Sequence, residues 1–202
     1  DHLYIQVTTG EIPLRDHRPN DQVQPNIIIH KTAVQPIQIK RYLQGFRALC
    51  VPDTRSYLAN VKTNHLSHNT LGLRKAIELG YDDAIFTKND CVVEGVSSNL
   101  FAVIDKTLIT PPSTNIVSGI TRKKIIELAR ENKIPFEISA IPTYELAHAS
   151  EVFLSSTLRL LRPLVFIENY FESQAPGPVW LQLFHLLFQN IHDHCKNPTL
   201  ID

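Results

Sequence analysis

The sequence is poor in the patterns that mark several large classes of protein. Its 202 residues include three cysteines, none in a Cys-x-x-Cys pair, which favours a reducing, cytoplasmic compartment over a secreted disulfide scaffold. No apolar run is long enough to span a bilayer, and the N-terminus has no signal-peptide pattern. Basic and acidic residues number 20 each, which gives no support for nucleic-acid binding. The chain begins with Asp1 rather than Met, so we expect a fragment or a processed product.

The residues that are present predict one full domain of mixed α and β structure. The chain is 43% hydrophobic, which is enough for a proper core. The periodicity differs from the strict alternation of a doubly wound sheet. It predicts helices over residues 69–79, ended by Gly80, over 121–132 and 144–149, and from Pro178 onwards. It predicts strands over residues 3–7, 26–29, 45–51, 84–86, 91–93, 100–104, 108–110, 136–138, 152–154 and 164–167, with turns at 88–90 and 105–106.

Four short segments contain the candidate catalytic and binding residues. They are residues 60–64 (Asn-Val-Lys-Thr-Asn), 93–99 (Val-Glu-Gly-Val-Ser-Ser-Asn), 118–122 (Ser-Gly-Ile-Thr-Arg) and 153–157 (Phe-Leu-Ser-Ser-Thr). In this order and at these spacings they resemble the signature of fold-type IV pyridoxal-phosphate (PLP) enzymes, a group that includes aminotransferases and lyases. The resemblance extends from about Tyr4 to Phe188. It implies the large PLP-binding domain of that fold, with a barrel-like mixed sheet and helices packed outside.

Lys62 matches the Schiff-base lysine of that family. The chemistry requires an amine that condenses with the cofactor aldehyde and moves a proton, so the lysine must be able to lose its charge. Burial and a nearby cation both favour that loss. Outside this setting a lysine in such a position is an ordinary solvated side chain.

Glu94 matches the carboxylate that pairs with the pyridine nitrogen of the cofactor and keeps the ring protonated. Without the resemblance it would be read as a turn glutamate before Gly95. The small polar residues that follow, including Ser98, lie beside the cofactor in the family. The alternative interpretation is that these residues only form an ordinary polar β-turn.

Residues 119–121 open a predicted helix, whose free backbone N–H groups would attract a phosphate. Gly119 allows close approach, and Thr121 either adds a hydroxyl ligand or caps the helix. The resemblance implies that Gly119, Ile120 and Thr121 hold the cofactor phosphate, with Thr157 as a second ligand. It also implies that Val117 packs on the cofactor ring, although a core valine is an equal reading.

Arg15 and His17 indicate which branch of the family the chain resembles. Residues two apart in an extended segment point the same way, so these two side chains could grip one carboxylate. The pair resembles the substrate-carboxylate trap of D-amino-acid aminotransferases, which reaches into the neighbouring subunit and so implies a homodimer. Ser156 is expected to touch substrate as well. Two departures are Leu14, which looks like an insertion, and Leu158, where D-amino-acid enzymes often carry a hydroxyl.

The resemblance divides the chain into residues 1–36, a remnant of the family's N-terminal small domain with two strands, and residues 37–202, the large PLP-binding domain. The linker is predicted near Gln35 and Pro36. The small domain of the family also supplies a phosphate-binding arginine and a pocket tyrosine, and neither has a counterpart here. We therefore expect the chain by itself to bind PLP weakly and to turn over substrate slowly.

The expected activity is transamination between a D-amino acid such as D-alanine and a 2-oxo acid such as 2-oxoglutarate. Three alternatives stay open: a branched-chain aminotransferase, an aminodeoxychorismate lyase, and an inactive fragment that only binds PLP or assembles. His185, His192 and His194 do not share one helix face, so we expect no metal site there. We expect neither a nucleic acid nor a membrane as partner.

Overall fold

The computed structural model describes residues 2–12, 18, 22–55 and 58–196, and it contains two compact units, residues 1–37 and 38–202. The first unit is built on a hairpin of β1 (His2–Thr8) and β2 (Asn26–Thr32), antiparallel with His2 opposite Thr32. All seven residues of β2 are exposed, although three of them are isoleucines. Both predicted strands are present and extend beyond their expected ends. That this unit is a remnant of a small domain stays a prediction.

The second unit contains ten strands within the described residues, and they form one mixed sheet. The strands are β3 (Phe46–Pro52), β4 (Asp83–Lys88), β5 (Cys91–Gly95), β6 (Asn99–Ile104), β7 (Thr107–Thr110), β8 (Phe136–Ile138), β9 (Ile141–Pro142), β10 (Glu151–Ser156), β11 (Leu160–Ile167) and β12 (Phe171–Glu172).

The strand order is β8-β7-β6-β10-β11-β3-β4-β5-β9, with β12 beside β11. The pairs β11–β3, β3–β4 and β7–β8 are parallel, and the other pairs are antiparallel. β5 and β6 lie far apart in this order, yet the turn between them joins them directly, and Gly95 donates its N–H to the carbonyl of Ser98 at 2.8 Å. The sheet therefore curls strongly toward closure, and the expected barrel-like mixed sheet is confirmed.

Helices pack against this sheet. They are α1 (Ile39–Gln44), α2 (Ser67–Glu78), α3 (Ile120–Glu131), a 3-10 helix (Thr143–His148) and α4 (Pro178–Lys196). Ala76 of α2 joins a buried cluster that includes Leu49, Val51 and Phe86 from the sheet. α4 buries Trp180, whose indole N–H donates to the Leu161 carbonyl at 3.1 Å. The amphipathic patterns of these helices thus face the sheet, as their periodicity predicts.

Several elements differ from the sequence prediction, among them α1, β11 and α2. The linker is predicted to lead directly into a strand, but α1 lies between them and buries only Tyr42, which is too little to give a periodic signal. β11 begins at Leu160 rather than at residue 164. The prediction began too late because Arg162 and Pro163 interrupt the apolar pattern of the strand. Arg162 is nevertheless buried, since Asp83 pairs with it. α2 also begins two residues earlier than predicted, at Ser67.

Tight turns set the register of the hairpins, as the turn residues predict. Asn89 and Asp90 have φ values of 51° and 56°, and Asp105 and Lys106 have values of 48° and 64°. Two successive left-handed residues are typical of a type I′ turn, whose twist matches that of antiparallel strands. Gly80, with φ of 81°, follows the last turn of α2 and ends that helix. Among the described residues, no helix is both long enough and apolar enough to cross a membrane.

Candidate active site

The four motif segments meet at one cavity of about 480 Å³ in the second unit. It lies where β5 and β10 end and where β6 and α3 begin. Its lining includes every described residue that the sequence indicated for the site: Lys62, Glu94, Ser98, Val117, Gly119, Ile120, Thr121, Ser156 and Thr157. The volume lies within the usual range for small-molecule pockets, about 300–1,000 Å³. The curled sheet therefore brings residues almost a hundred positions apart to one place.

Lys62 lies in an irregular segment between β3 and α2, and its side chain is exposed. From the sequence we expected burial to favour loss of its charge, and the structure differs on this point. Among the described residues, the segment that carries Lys62 has exposed neighbours on both sides, so little of the chain covers it. The amine is still one of the cavity-lining groups.

Glu94 is buried near the end of β5, and both of its carboxylate oxygens have partners. Oε1 accepts a hydrogen bond from Nη1 of Arg55 at 2.7 Å. Oε2 accepts one from Nδ2 of Asn99 at 3.1 Å, and the same Asn99 nitrogen donates to the Val117 carbonyl at 2.8 Å. The carboxylate is therefore fixed in one orientation at the cavity wall.

The position of Glu94 changes its acidity. Burial raises the pKa of the Glu94 carboxyl to about 7, from 4.5 for an unperturbed group. The hydrogen bond and charge of Arg55, and the Val117 backbone N–H, act in the opposite direction and lower this pKa. The nearby carboxylate of Asp53 raises it again. The charge of Glu94 therefore depends on the balance between its burial and the cation beside it.

Arg55 is a cavity residue that the sequence reading missed. Its Nε and Nη2 donate to the two oxygens of Asp53, each at 2.9 Å, in a two-pronged contact. Burial tends to raise the pKa of Asp53, but the hydrogen bonds from Arg55 outweigh it and hold that pKa below its ordinary value. The available signal was an Asp-Thr-Arg sequence directly after a buried strand. Residues two apart can share a side, which places acid and base together.

The start of α3 faces the cavity without a side-chain cap. Gly119 is the N-cap, and Ile120 and Thr121 are the first two helical residues, so the suggestion that Thr121 caps the helix is wrong. No acidic residue lies in the first turn. Free N–H groups at such an end attract anions. A Cβ on Gly119 would lie 2.1 Å from Oδ1 of Asn99, so this glycine is required by its neighbour Asn99.

Hydroxyl groups form another part of the wall. Thr157 and Ser156 follow one another where β10 ends, and both line the cavity. Ser155, which the sequence reading passed over, is only 1% exposed, and its hydroxyl has no hydrogen-bond partner in the described structure. Ser98 has a buried, unpartnered hydroxyl too. An unsatisfied buried hydroxyl is costly, so these groups are suited to a polar ligand.

The apolar part of the wall includes Val117 and Ile120. Val117 is half-buried and is held through its backbone by Asn99 and Glu94. Ile120 is 83% exposed, which is unusual for isoleucine in a helix and leaves it free to contact a ligand.

The remaining site residues of the prediction, Arg15 and His17, lie outside the described residues, as does Leu14. Two histidines that the sequence reading did not select, His65 and His68, line the cavity. Their rings stack at 6.0 Å, and Nδ1 of His68 is 2.9 Å from the hydroxyl of Thr54.

Comparison with known proteins gives consistent matches. The amino-transferase class IV family profile matches residues 2–167. A D-alanine aminotransferase of Bacillus licheniformis is 32% identical over 179 residues, which are 88% of this chain and 62% of that protein. The chain thus spans less than two thirds of that relative's length.

Solved structures share the fold. The 4-amino-4-deoxychorismate lyase of Pseudomonas aeruginosa gives a TM-score of 0.82 at 25% identity and covers 94% of this chain and 71% of that one. A branched-chain amino acid aminotransferase of Escherichia coli also gives 0.82, at 24% identity, and covers 93% and 64%.

The fold and the cavity define a PLP-type site built on a curled mixed sheet. The chain belongs to the class IV amino-transferase family. Enzymes of this family depend on pyridoxal phosphate.

The residues of the cavity fit that cofactor. The uncapped start of α3 and the hydroxyls of Thr121 and Thr157 suit a phosphate. Glu94 offers a fixed carboxylate for a protonated ring nitrogen. The unpartnered hydroxyls of Ser98 and Ser155 offer further hydrogen bonds.

Proposed function

We propose that this chain provides the PLP-binding part of an aminotransferase that acts on D-amino acids such as D-alanine. The observation that carries the proposal is the convergence of Lys62, Glu94, Thr121 and Thr157 on one cavity, in a chain 32% identical to a D-alanine aminotransferase. The four residues come from four separate segments, so their meeting depends on the whole sheet. A scattered set of surface residues would not do this.

In this proposal, Lys62 is the residue that moves protons. Its Nζ would hold the cofactor, and once the substrate amine has displaced it, the free amine would take up the proton of the substrate α-carbon. Bound pyridoxal phosphate supplies the electron sink that accepts the pair left on that carbon. The exposure of Lys62 leaves its amine within reach of a substrate that enters from solvent.

Glu94 holds the proton on the cofactor's ring nitrogen. A carboxylate with a raised pKa can share that proton, and Arg55 and Asn99 fix the direction in which it does so. The side chains of Val117 and Ile120 would cover the ring and limit water around it.

The start of α3 binds the cofactor phosphate. Backbone N–H groups at Ile120 and Thr121 would donate to the phosphate oxygens, and the hydroxyls of Thr121 and Thr157 would add two more donors. Arg15, His17 and Ser156 are proposed to hold the substrate carboxylate. Because the pair at 15 and 17 serves a neighbouring subunit in the family, the proposal includes a homodimer.

A lyase that acts on aminodeoxychorismate is the second candidate, and the structural match at a TM-score of 0.82 and 25% identity favours it. The two activities have different requirements. Transamination of D-alanine needs a 2-oxo acid as acceptor, whereas the lyase releases pyruvate from its substrate without one. A branched-chain aminotransferase would accept L-leucine instead.

The first experiment adds pyridoxal phosphate to the chain and records its visible absorbance. We expect a band that borohydride abolishes and that Lys62→Ala lacks. Formation of the keto product is then measured, which is pyruvate from D-alanine or aminodeoxychorismate and 4-methyl-2-oxopentanoate from L-leucine, each with and without 2-oxoglutarate. Acceptor-dependent turnover of D-alanine supports the proposal. Acceptor-independent pyruvate from aminodeoxychorismate would overturn it in favour of the lyase.

The proposal includes a cytoplasmic location. All three cysteines are free, and burial raises the pKa of the Cys50 thiol to about 12, so that thiol is unreactive. It also includes weak turnover by this chain alone, since the relatives have additional length. A rate equal to that of a full-length relative would overturn this last part.

A further inference from the structure

Three charged side chains at the cavity are linked in series by hydrogen bonds, and the first two lie outside the four motif segments. Asp53 holds Arg55, and Arg55 holds Glu94. The side chain of Arg55 is 10% exposed, and those of Asp53 and Glu94 are 3% and 5% exposed. These charges are therefore largely removed from solvent, and each depends on the others for compensation.

Arg55 has little freedom to move. Three of its guanidinium nitrogens are engaged, and the guanidinium carbon lies 4.4 Å from the ring centroid of Phe86 in the core cluster. Its backbone N–H also donates to Oδ1 of Asp53 at 3.0 Å. A planar guanidinium held on its face and its edges keeps one orientation.

Because Arg55 is fixed, it also limits the rotation of the Glu94 carboxylate. With Oε1 bound by Arg55 and Oε2 bound by Asn99, the carboxylate cannot rotate away from the cavity. The charged groups around it are Arg55, Asp53 and the buried Arg122 of α3, while Lys62 lines the same cavity. Arg122 is itself held by Thr110 and the Pro111 carbonyl, so Arg55 is the cation that contacts Glu94 directly.

We propose that Arg55, clamped by Asp53, is a positioning residue that holds the Glu94 carboxylate in one orientation at the cavity and favours its ionised form. The proposal rests on the proposed function of Glu94 as the partner of the cofactor's ring nitrogen. Arg55 acts through Glu94 and has no part in proton transfer. Without it, a smaller fraction of Glu94 is ionised at neutral pH, so Glu94 stabilises a protonated ring less well.

The rival explanation is that Arg55 only supports the fold, as Arg162 does with Asp83. That buried pair joins Arg162 of β11 to Asp83 of β4 across β3 at 2.6 Å, and neither residue lines the cavity. It provides a matched control, because both arginines are buried, both pair with one strand carboxylate and both lie over a phenylalanine ring.

The test compares Arg55→Met, Arg55→Lys and Arg162→Met. Carboxyl NMR of the chain without cofactor, assigned with Glu94→Gln, gives the titration midpoint of Glu94. We expect Arg55→Met to raise that midpoint by about one pH unit or more, since an adjacent opposite charge lowers a carboxyl pKa by that amount. Arg55→Lys keeps the positive charge but loses the several N–H donors of the guanidinium, so it should raise the Glu94 midpoint less. Arg162→Met should leave it unchanged.

A second readout uses the cofactor. The pH midpoint of the visible band with bound pyridoxal phosphate should move upward in Arg55→Met by the same amount, with partial rescue in Arg55→Lys. An unchanged Glu94 midpoint in a folded Arg55→Met overturns the inference. If Arg55→Met does not fold, an unchanged midpoint in Arg55→Lys overturns it equally.

Failure of the proposed function gives a different result. In that case the unmodified chain forms no borohydride-sensitive band at all, while the titration of Glu94 still responds to Arg55. The carboxyl titration needs no cofactor, so the two failures are distinguishable.

Discussion

Arg55–Glu94 and Arg162–Asp83 are both buried arginine–carboxylate pairs, but their surroundings differ. Asp83 begins β4 and Arg162 lies in β11, so the pair reaches across β3 inside the sheet. Oδ2 of Asp83 accepts from Arg162 at 2.6 Å, and Oδ1 accepts the Ala84 backbone N–H at 2.9 Å. Burial raises the pKa of Asp83 and lowers that of Arg162. This pair is enclosed by protein.

The pair at Glu94 forms part of the cavity wall instead. Its arginine is shared with a second acidic side chain, Asp53, so one guanidinium serves two carboxyl groups. A carboxyl group whose cationic partner is shared favours a positively charged ligand group, such as a protonated ring nitrogen, beside it. Burial and pairing alone therefore do not identify a functional carboxylate. The distinguishing features are an adjacent cavity and a shared cationic partner.

Lys62→Ala should have the largest effect on activity. With its proton-moving amine removed, turnover of the preferred amino acid should fall on the order of 10³-fold or more. Steady-state pyruvate formation measures it. Lys75→Ala, a lysine of α2 outside the cavity lining, serves as the control and should keep full activity. Comparable losses in both variants would contradict the assignment of Lys62.

Asp83→Asn should have the largest effect on stability. It leaves Arg162 buried without a charged partner, so the free energy of unfolding should fall by about 3–5 kcal/mol. Denaturant unfolding measures it. The control is Glu78→Gln, which removes the charge from the Arg74–Glu78 pair, both of whose side chains are more than half exposed. That change should cost under about 1 kcal/mol. If the Asp83 variant lost no more than the control, the core pair would not have the structural role assigned to it.

Glu94→Gln should remove a pH dependence of stability. The pKa of Glu94 is about 7 in the fold and 4.5 in an unperturbed chain, so the folded state binds the proton more tightly. Its contribution is complete below pH 4.5 and is lost as the pH rises through about 7. Relative to Glu94→Gln, the unloaded chain should therefore lose stability over this window. A difference of one between the folded and unfolded pKa values corresponds to about 1.4 kcal/mol.

Unfolding measured at several pH values between about 4 and 8 tests the sign as well as the size of this loss. If the stability of the unmodified chain relative to Glu94→Gln stayed constant or increased with pH, burial of Glu94 would not raise its pKa. Asp53 acts in the opposite sense, because its lowered pKa adds stability that is lost only at more acidic pH.

Ser155→Ala should have the smallest effect. Its buried hydroxyl has no partner in the described structure, so removing it should leave the stability of the unloaded chain unchanged or raise it by about 1 kcal/mol. Binding of pyridoxal phosphate, followed by absorbance, should weaken severalfold. Thr110→Val is the contrast, because that buried hydroxyl donates to the Leu100 carbonyl and accepts from Arg122. A loss of stability in Ser155→Ala would indicate a hydrogen bond that the described contacts lack.

Local signals predicted most of the fold. Alternating and continuous apolar runs located the strands, and Lys88–Asp90 and Asp105–Lys106 located the tight turns, because these patterns depend only on near neighbours. The ordered motifs also predicted which residues line the cavity, with Lys62, Glu94 and Thr121 among them.

Long-range pairing explains most of what the sequence did not predict. Arg55 meets Glu94 across 39 residues, and Arg162 meets Asp83 across 79. Before the sheet order is known, neither arginine differs from an ordinary surface charge. Gly119 was selected from the sequence as a phosphate ligand, but its close contact with Asn99 of β6 depends on the fold in the same way. Arg15 and His17 lie outside the described residues, and their role stays a prediction.

The most direct test of the central claim is to locate the cofactor on the chain. Pyridoxal phosphate is added, the mixture is reduced with borohydride, and peptides are mapped by mass spectrometry. We predict one phosphopyridoxyl group per chain, on Nζ of Lys62, with little label elsewhere. Label spread over several exposed lysines, or the same amount of label on Lys62→Ala, would contradict the account.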